Sequence, residues 1–264
     1  MKSVNYLVSA LLLVLASCNL EDPSPIIDEV DLIPISFKED NVTKTLIYDN
    51  SNRLIQIQYK TDLADGNVML SFHDFQYDDR GRLAESSTDT GWRYLYTYCD
   101  NRIVRTDEFI NGAKSDYHTF QYDYKGRLIE RITYQNIPAE GGEIPVAMDT
   151  YSYDSRGNLI MLRLYYYTSY GLESRLLTEL AYSDYDNKIN SEEYFDILGI
   201  NPLVRLRKNN PGKLMVKNDK GNVSSTETYR YTYHEKGYAL TKKADVVFYN
   251  GNSGSYEATY TFRE

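Results

Sequence analysis

From residue 41 onward, short runs of the chain alternate apolar and polar residues, as half-buried strands do. Clear examples are residues 55–59 (IQIQY), 94–98 (YLYTY) and 229–233 (YRYTY). Every second side chain of a strand faces the same side of its sheet, so each run presents one aromatic or aliphatic face. The pattern predicts an all-β body.

A short motif recurs where these runs end. The clear copies are residues 48–54 (YDNSNRL), 77–83 (YDDRGRL), 122–128 (YDYKGRL) and 153–159 (YDSRGNL), and weaker copies begin at Tyr98 and Tyr233. The Asp side chain can bond to the backbone two residues later, and the following Gly or Asn tolerates a positive φ, which closes a β-hairpin. The repeat predicts an antiparallel meander of about fourteen strands.

Two stretches depart from this repeat. Residues 136–145 (NIPAEGGEIP) carry two prolines and a glycine pair, which predicts a long hairpin loop. Residues 190–199 (NSEEYFDILG) offer an Asn cap, a Glu three residues later and a final Gly, which predicts one short helix near 190–198.

The first residues have the composition of an export signal. Lys2 precedes a ten-residue apolar run at 6–15 that is too short to span a bilayer, so residues 1–17 are predicted to be a signal peptide. The run ends in LASC at 15–18, which resembles the lipobox of bacterial lipoproteins. That resemblance implies cleavage before Cys18 and lipidation of its sulfur, and hence a membrane anchor without a membrane span.

Residues 18–40 are predicted to form a tether behind the lipidated cysteine. Positions 19–40 hold seven acids, one lysine and three of the seven prolines, a composition that favours an extended, solvated segment. The acids at 19–22 (NLED) resemble the signal that sends Bacteroidetes lipoproteins to the cell surface, and a plain acidic linker is the equal alternative. Residues 41–264 then form a single β-repeat domain.

The net charge argues against nucleic acid as a partner. It is −9 for the whole chain and becomes −10 once residues 1–17, with their single lysine, are removed. No basic stripe offsets this charge, so phosphate-rich polymers would be repelled.

The repeat copies resemble YD or RHS repeats. Together with the lipobox, the YDNK sequence at 185–188 and the YTYHEKGY sequence at 231–238, they make the chain similar to a Bacteroidetes lipoprotein family of unknown function with a porin-like fold. The resemblance implies a meander that closes into a barrel or a strongly curved sheet, and it implies no catalytic residues.

The strands themselves favour a tethered body over a pore. A membrane barrel needs an outward apolar band on its strands. Runs such as 128–132 (LIERI) place charged residues on both faces, so such a band is hard to draw.

The sequence offers little catalytic or metal-binding chemistry. His73, His118 and His234 have no partner at a metal-ligand spacing, so no metal and no cofactor are predicted. The acid pairs Asp78/Asp79, Asp184/Asp186 and Glu192/Glu193 could serve glycoside hydrolysis, but each is explained by its turn or helix start. An enzyme of the glycosidase type is therefore the least favoured reading, and the protein is predicted not to be an enzyme.

Tyrosine is the best functional signal, with 27 copies in the chain. Rows of tyrosine can stack on sugar rings or bind proteins, and they can equally serve cross-strand packing. The candidate ligand-binding residues are Tyr94, Tyr96, Tyr98, Tyr165 and Tyr167. The favoured function is a non-enzymatic module at the outer membrane, lipid-anchored and facing either the periplasm or the exterior, that binds a glycan or a protein. The alternative is an envelope scaffold.

Overall fold

Sixteen strands form one closed antiparallel barrel. The computed structural model of the chain describes residues 32–137, 142–168, 173–195 and 204–264. The strands are β1 (Ile33–Glu39), β2 (Val42–Tyr48), β3 (Leu54–Asp62), β4 (Val68–Tyr77), β5 (Leu83–Thr88), β6 (Trp92–Cys99), β7 (Arg102–Ile110), β8 (Ala113–Tyr122), β9 (Leu128–Ile137), β10 (Gly142–Tyr153), β11 (Leu159–Thr168), β12 (Glu173–Ser183), β13 (Lys213–Asn218), β14 (Val223–Tyr233), β15 (Ala239–Phe248) and β16 (Ser253–Arg263). Each pairs with its neighbours in sequence, and β1 pairs with β16 to close the ring.

The two ends of the barrel differ. Because successive strands are antiparallel, alternate connections lie at opposite ends. The repeat turns at 49–53, 78–82, 123–127 and 154–158 therefore share one end with the start of β1, and we call it the turn end. The opposite end, which carries the short β1–β2 turn at 40–41, is called the far end.

Each repeat copy closes its hairpin in the way its sequence predicts. In the second copy the backbone N–H groups of Arg80 and Arg82 both donate to Asp78 Oδ1 at 2.9 Å, and Arg82 Nε donates to Asp78 Oδ2 at 2.9 Å. Gly81 has φ +76°, a conformation that a side chain rarely adopts. The Asp and Gly of the motif thus specify the turn, and the Asp also fixes the Arg.

The Tyr and Arg of the motif link one copy to the next. Four motif tyrosines donate their hydroxyls to the carbonyl of the residue that restarts a strand in an earlier copy: Tyr77 to Leu54 (2.7 Å), Tyr98 to Leu83 (2.8 Å), Tyr122 to Ile103 (2.6 Å) and Tyr153 to Leu128 (2.8 Å). The arginines lie over the following tyrosine rings, with Arg82 4.4 Å from the Tyr98 centroid. Arg263 lies over Tyr48 at 5.6 Å, so the same contact also spans the junction of the last and first strands.

Removal of one such link should have a small, measurable effect. Tyr98→Phe is expected to lower the free energy of unfolding by about 1 kcal/mol, because the Leu83 carbonyl loses its donor. Urea denaturation measures the change. Tyr124→Phe, at a ring that is 72% exposed, is the control and should change nothing; an equal loss in both variants would contradict the link.

Inside the barrel, two apolar clusters fill the turn end. Directly opposed residues share a face, so Leu46, Ile57 and His73, which are opposite one another along β2, β3 and β4, all face inward. One cluster is built around Phe37, Ile57 and Tyr260, and the other around Phe120, Leu128 and Leu159.

The connection between β12 and β13 enters this interior. Its described residues, 184–195 and 204–212, are called the plug. Phe195 packs between Phe37 and Tyr260 with ring centroids 5.7 and 6.0 Å away, and Leu206 packs against the second cluster. The plug therefore lies inside the bore, from the apolar clusters to the β1–β2 turn.

The fold confirms the predicted closed antiparallel meander and differs in its details. Sixteen strands are present where about fourteen were predicted. β1 runs over residues 33–39, so the predicted boundary between tether and domain at residue 40 falls in the turn after the first barrel strand. The signal peptide at 1–17 and the lipidation site at Cys18 lie outside the described residues.

The two stretches that depart from the repeat are shorter than predicted. β9 continues to Ile137 and β10 begins at Gly142, so the loop predicted at 136–145 is mostly strand and only 138–141 lie outside the description. The helix predicted near 190–198 is one turn of 3₁₀ helix at Glu192–Tyr194, and residues 196–198 lie outside the described part. Ser191, not the predicted Asn190, is at the N-cap and makes no side-chain cap bond; Asn190 Oδ1 accepts the N–H of Glu192 at 2.9 Å.

Candidate binding site in the barrel

The tyrosine row of β6 faces the interior. Tyr94, Tyr96 and Tyr98 lie opposite Glu108, Thr106 and Ile103 of β7. The hydroxyls of Tyr96 and Ser86 are hydrogen-bonded at 2.7 Å, and Tyr98 donates to the carbonyl of Leu83. Tyr96 and Tyr98 therefore serve the packing and hydrogen bonding of the core.

Tyr94 lies closer to the far end and has different surroundings. Its ring is nearly parallel to Trp92, with centroids 6.4 Å apart and 9° between planes, and it lies 6.2 Å from the ring of His73. Burial and the charge of Glu108 raise the pKa of Tyr94 to about 12, so the hydroxyl stays protonated at neutral pH. Trp92 and Tyr94 together form a flat aromatic surface on the inner wall.

The other two candidate tyrosines lie on the outer wall. Tyr165 is opposite Met148, next to the inward-facing Asp149, and Tyr167 contacts Met148 Sδ through its hydroxyl at 3.7 Å. Burial, with the charge of Glu130, raises the pKa of Tyr167. The five predicted residues thus belong to two surfaces, and their role in ligand binding stays a prediction.

One ion pair joins the plug to the wall, and a second joins the two segments of the plug. Lys242 Nζ lies 2.5 Å from Glu192 Oε1, and Arg207 Nε lies 2.6 Å from Glu193 Oε1. Burial acts to raise the pKa of Glu192, but Lys242 and Arg207 outweigh it and hold that pKa below its usual range. The wall continues this network, since Tyr229 and Tyr256 both donate to Glu227 Oε2, at 2.9 and 3.0 Å.

A cavity of about 350 Å³ opens beside this network near the β1–β2 turn. It is lined by Phe37, Glu39, Asp40, Asn41, Val42, Lys44, Glu192 and Phe195. Lys44 Nζ donates to the carbonyl of Phe195 at 3.1 Å, and burial raises the pKa of Glu39. The cavity is polar on one side and aromatic on the other.

A second polar group of side chains faces inward from β7 to β10. His118 Nδ1 lies 3.0 Å from Thr133 Oγ1, and Arg131 forms an ion pair with Asp149. The alternation of the sequence does not reveal this group, because an irregularity in the β7–β8 pairing between Asp107 and Phe109 interrupts the period. The sequence signal that could have revealed this polar group is the presence of polar residues at core positions of strands rich in aromatic residues.

At least four of the six acids in the candidate pairs make structural contacts. Asp78 is held by its own turn, Asp186 accepts hydrogen bonds from Asn210 of the plug, and Glu192 and Glu193 pair with plug and wall cations. Within the described ranges no three His, Cys, Asp or Glu side chains converge as metal ligands. At least one acid of each pair is thus engaged in a structural contact.

Comparisons with known proteins identify the fold. No protein-family model and no curated protein matches the chain. Among solved structures, a porin-like protein from Bacteroides uniformis matches with a TM-score of 0.63 and 17% identity, over 89% of this chain and 98% of that one. Another porin-like protein, from Bacteroides vulgatus, matches with a TM-score of 0.43 and 13% identity, over 88% of this chain and 99% of that one. The chain has the fold of the first of these proteins.

No helix among the residues described is long and apolar enough to cross a membrane.

His73 should make stability depend on pH. Its side chain is 4% exposed, and burial lowers its pKa to about 4. The unfolded chain therefore binds a proton more readily, and stability is lost as pH falls from the unfolded pKa of about 6.5. Between about pH 7 and about pH 4.5 the wild type should lose about 2 kcal/mol more than His73→Gln. Urea denaturation at both values tests this; equal losses would contradict a buried neutral imidazole.

Proposed function

We propose that this chain is a non-enzymatic binding protein of the outer membrane, anchored by a lipid on Cys18, whose barrel stands outside the bilayer. The likeness to a porin-like protein of a Bacteroides species supports an envelope location. The observation that carries the proposal is the charge on the outer wall of the barrel. A barrel wall that carries charged side chains is more stable in contact with water than in contact with lipid.

Ion pairs between neighbouring strands cover this outer wall. Glu179 on β12 joins Arg163 of β11 at 2.8 Å and Lys217 of β13 at 2.9 Å. Similar outward pairs link Arg93 to Glu85 at 2.9 Å and Arg230 to Asp245 at 2.6 Å. Charged groups at the middle of a lipid-facing strand are destabilising, so this distribution supports a tethered body.

The plug supports binding over transport. Phe195 and Leu206 fill the turn end between the two apolar clusters, and the ion pairs of Glu192 and Glu193 hold them there. A segment packed inside the bore in this way obstructs passage through it. In a planar bilayer the purified protein should give no conductance, and stepwise conductance would contradict this part of the proposal.

The anchor is tested through Cys18. Leu32 is buried at the turn end, so the fourteen residues from Cys18 to Asp31 would reach at most about 50 Å from that end. Wild-type protein is expected in the outer-membrane fraction, and Cys18→Ser is expected in the soluble fraction with an unchanged circular dichroism spectrum. A Cys18→Ser variant that stays with the membrane would show that another part of the chain holds it there.

The ligand class is proposed to be a glycan or a protein. Protease treatment of intact cells, with a periplasmic lipoprotein as control, tells which side the barrel faces. Tyr165→Ala and Tyr167→Ala then test the outer tyrosines in glycan and protein capture. Unchanged affinity for every ligand that the wild type binds would exclude that surface.

A further inference from the structure

The cavity beside the plug has room for a ligand. Its volume is about 350 Å³, and pockets that hold small ligands begin at roughly 300 Å³. It lies at the far end, between the β1–β2 hairpin and the plug. Phe37 is opposite Lys44 and Glu39 is opposite Val42, so these four side chains reach the cavity from the inner wall. A small molecule fits this space, and so does one side chain of a larger ligand.

Two carboxylates of the cavity have no counter-ion of their own. Within the described ranges, Glu39 and Asp40 form no ion pair and no hydrogen bond through their carboxylates. Burial raises the pKa of Glu39, and the nearby cations offset this only in part. Glu39 is thus a carboxylate that a further positive charge would stabilise.

The lysine of the cavity is held by protein groups. Lys44 Nζ donates to the carbonyl of Phe195 at 3.1 Å and lies 5.3 and 5.9 Å from the ring centroids of Phe37 and Tyr59. These contacts keep the ammonium group against the wall, because an ammonium is attracted to a carbonyl oxygen and to aromatic faces. Lys44 therefore lies at the side of the cavity and leaves its opening to the acids.

The charges around the cavity sum to one negative unit. Its wall holds three carboxylates and one ammonium group, and Lys242 behind Glu192 supplies a second ammonium group. Arg207 adds nothing to this sum, because Glu193 pairs with it. An anionic ligand would increase the imbalance, whereas a ligand with one positive charge would cancel it.

The arrangement of the acids favours an organic cation over a metal ion. In the part of the chain that the structure describes, no three acids converge as metal ligands. An ammonium group carries three N–H donors that point in different directions, so it can bond carboxylates that do not converge. Val42 lines the same cavity and offers apolar contact to a short alkyl chain behind the ammonium group.

We propose that the cavity between the β1–β2 hairpin and the plug binds a primary alkylammonium group, with Glu39 and Asp40 as its acceptors. This rests on the proposed binding function and gives the ligand a charge and a place. The ammonium group bonds the two carboxylates, and its alkyl chain contacts Val42. A free amine and the lysine side chain of a protein both carry such a group.

The test uses four-carbon probes that differ in charge. Butylamine is the cation, butanol the neutral probe and butyrate the anion, and saturation-transfer NMR titration of the mature chain gives each affinity. Butylamine should bind, and butanol and butyrate should bind at least about tenfold more weakly. Glu39→Gln should weaken butylamine binding about tenfold, and Asp40→Asn about threefold. Asp40 has φ +48°, which Asn tolerates, so the second variant keeps the turn.

Two controls keep folding separate from binding. Glu257→Gln makes the same chemical change at an exposed position on the outer wall of β16, opposite Lys243, and should leave affinity unchanged. Without ligand, Glu39→Gln should melt no lower than the wild type, because its raised pKa means that the carboxylate is less stable in the fold than in water. A lower melting temperature would show that Glu39 serves the hairpin itself and would overturn the site.

A second set of probes separates the two sources of the ammonium group. Nα-acetyl-lysine N-methylamide presents the group as a protein does, and its Nε-acetylated form lacks the charge. Binding that is tighter than that of butylamine and is lost on Nε-acetylation would identify a protein lysine as the ligand. Binding no tighter than that of butylamine would identify a free amine. In both cases Glu39→Gln should weaken binding.

The site is wrong if butylamine does not bind, if butyrate binds as tightly, or if Glu39→Gln binds butylamine as the wild type does. The proposed function is judged separately, on the outer wall. A glycan or a protein that the wild type captures and Tyr165→Ala does not would leave that function in place without the cavity. Retention of Cys18→Ser in the membrane fraction would affect only the anchor.

Discussion

Glu193→Gln is expected to lower the free energy of unfolding by about 3 to 5 kcal/mol. Glu193 accepts Arg207 Nε at 2.6 Å and the backbone N–H of Leu206 at 2.9 Å, with its side chain only 6% exposed. The neutral amide would leave the buried Arg207 guanidinium without its closest countercharge. Glu192, 3.7 Å from Arg207, compensates only in part.

Guanidinium denaturation of the wild type and of Glu193→Gln measures the difference in their free energies of unfolding. Glu173→Gln is the matched control, because Glu173 and Arg175 are 3.8 Å apart with side chains 67 and 63% exposed. Removing one member of such a surface pair should change stability by less than about 0.5 kcal/mol. A loss at Glu193 no larger than at Glu173 would mean that the plug is not fastened by its buried charges.

Leu128→Ala should be similarly severe, with an expected loss of about 2 to 5 kcal/mol. Leu128 is the final residue of a repeat motif, is 2% exposed and sits in the second apolar cluster. Truncation removes apolar contacts and leaves a cavity that the barrel wall cannot close, because β9 is paired on both sides.

Thermal and chemical unfolding of Leu128→Ala should be compared with Leu177→Ala. Leu177 lies on β12 with 54% of its surface exposed, so its truncation should stay within about 0.5 kcal/mol of the wild type. Equal effects at the two leucines would show that the motif leucine does not pack into a core of its own.

Local chemistry explains why the class of fold could be predicted. The Asp and the Gly or Asn of the clear motif copies form their turn through contacts within five residues, so the hairpins can be found from sequence alone. The long-range partners of the motif Tyr and Arg cannot, because the carbonyl that Tyr77 meets lies 23 residues earlier. The repetition of the motif identifies its Tyr and Arg as structurally important, but it does not identify the distant residues that they contact.

The alternation of apolar and polar residues does not predict that the ring closes or which way each side chain points. The prolines and acids at 19–40 predict a tether up to residue 40, whereas residues 33–39 form β1 between β2 and β16. Both strands are rich in tyrosine, yet Tyr94, Tyr96 and Tyr98 of β6 face inward while Tyr165 and Tyr167 of β11 face outward. A bulge adds one residue to a strand and so reverses which side chains face inward. The alternation of apolar and polar residues does not show where a bulge lies.

The pairing of β1 with β16 also governs how the chain folds. Ile33 is opposite Arg263, so the hydrogen bonds that complete the ring join the first strand described to the last. Contacts between such distant residues form slowly, because the entropy of closing a long loop is lost before the contacts contribute any favourable free energy. Until β16 arrives, β1 presents an unpaired edge that a second chain can extend. The barrel therefore depends on the completion of its C-terminal strand, and a chain cut short by a dozen residues would be left with two open edges and a tendency to aggregate.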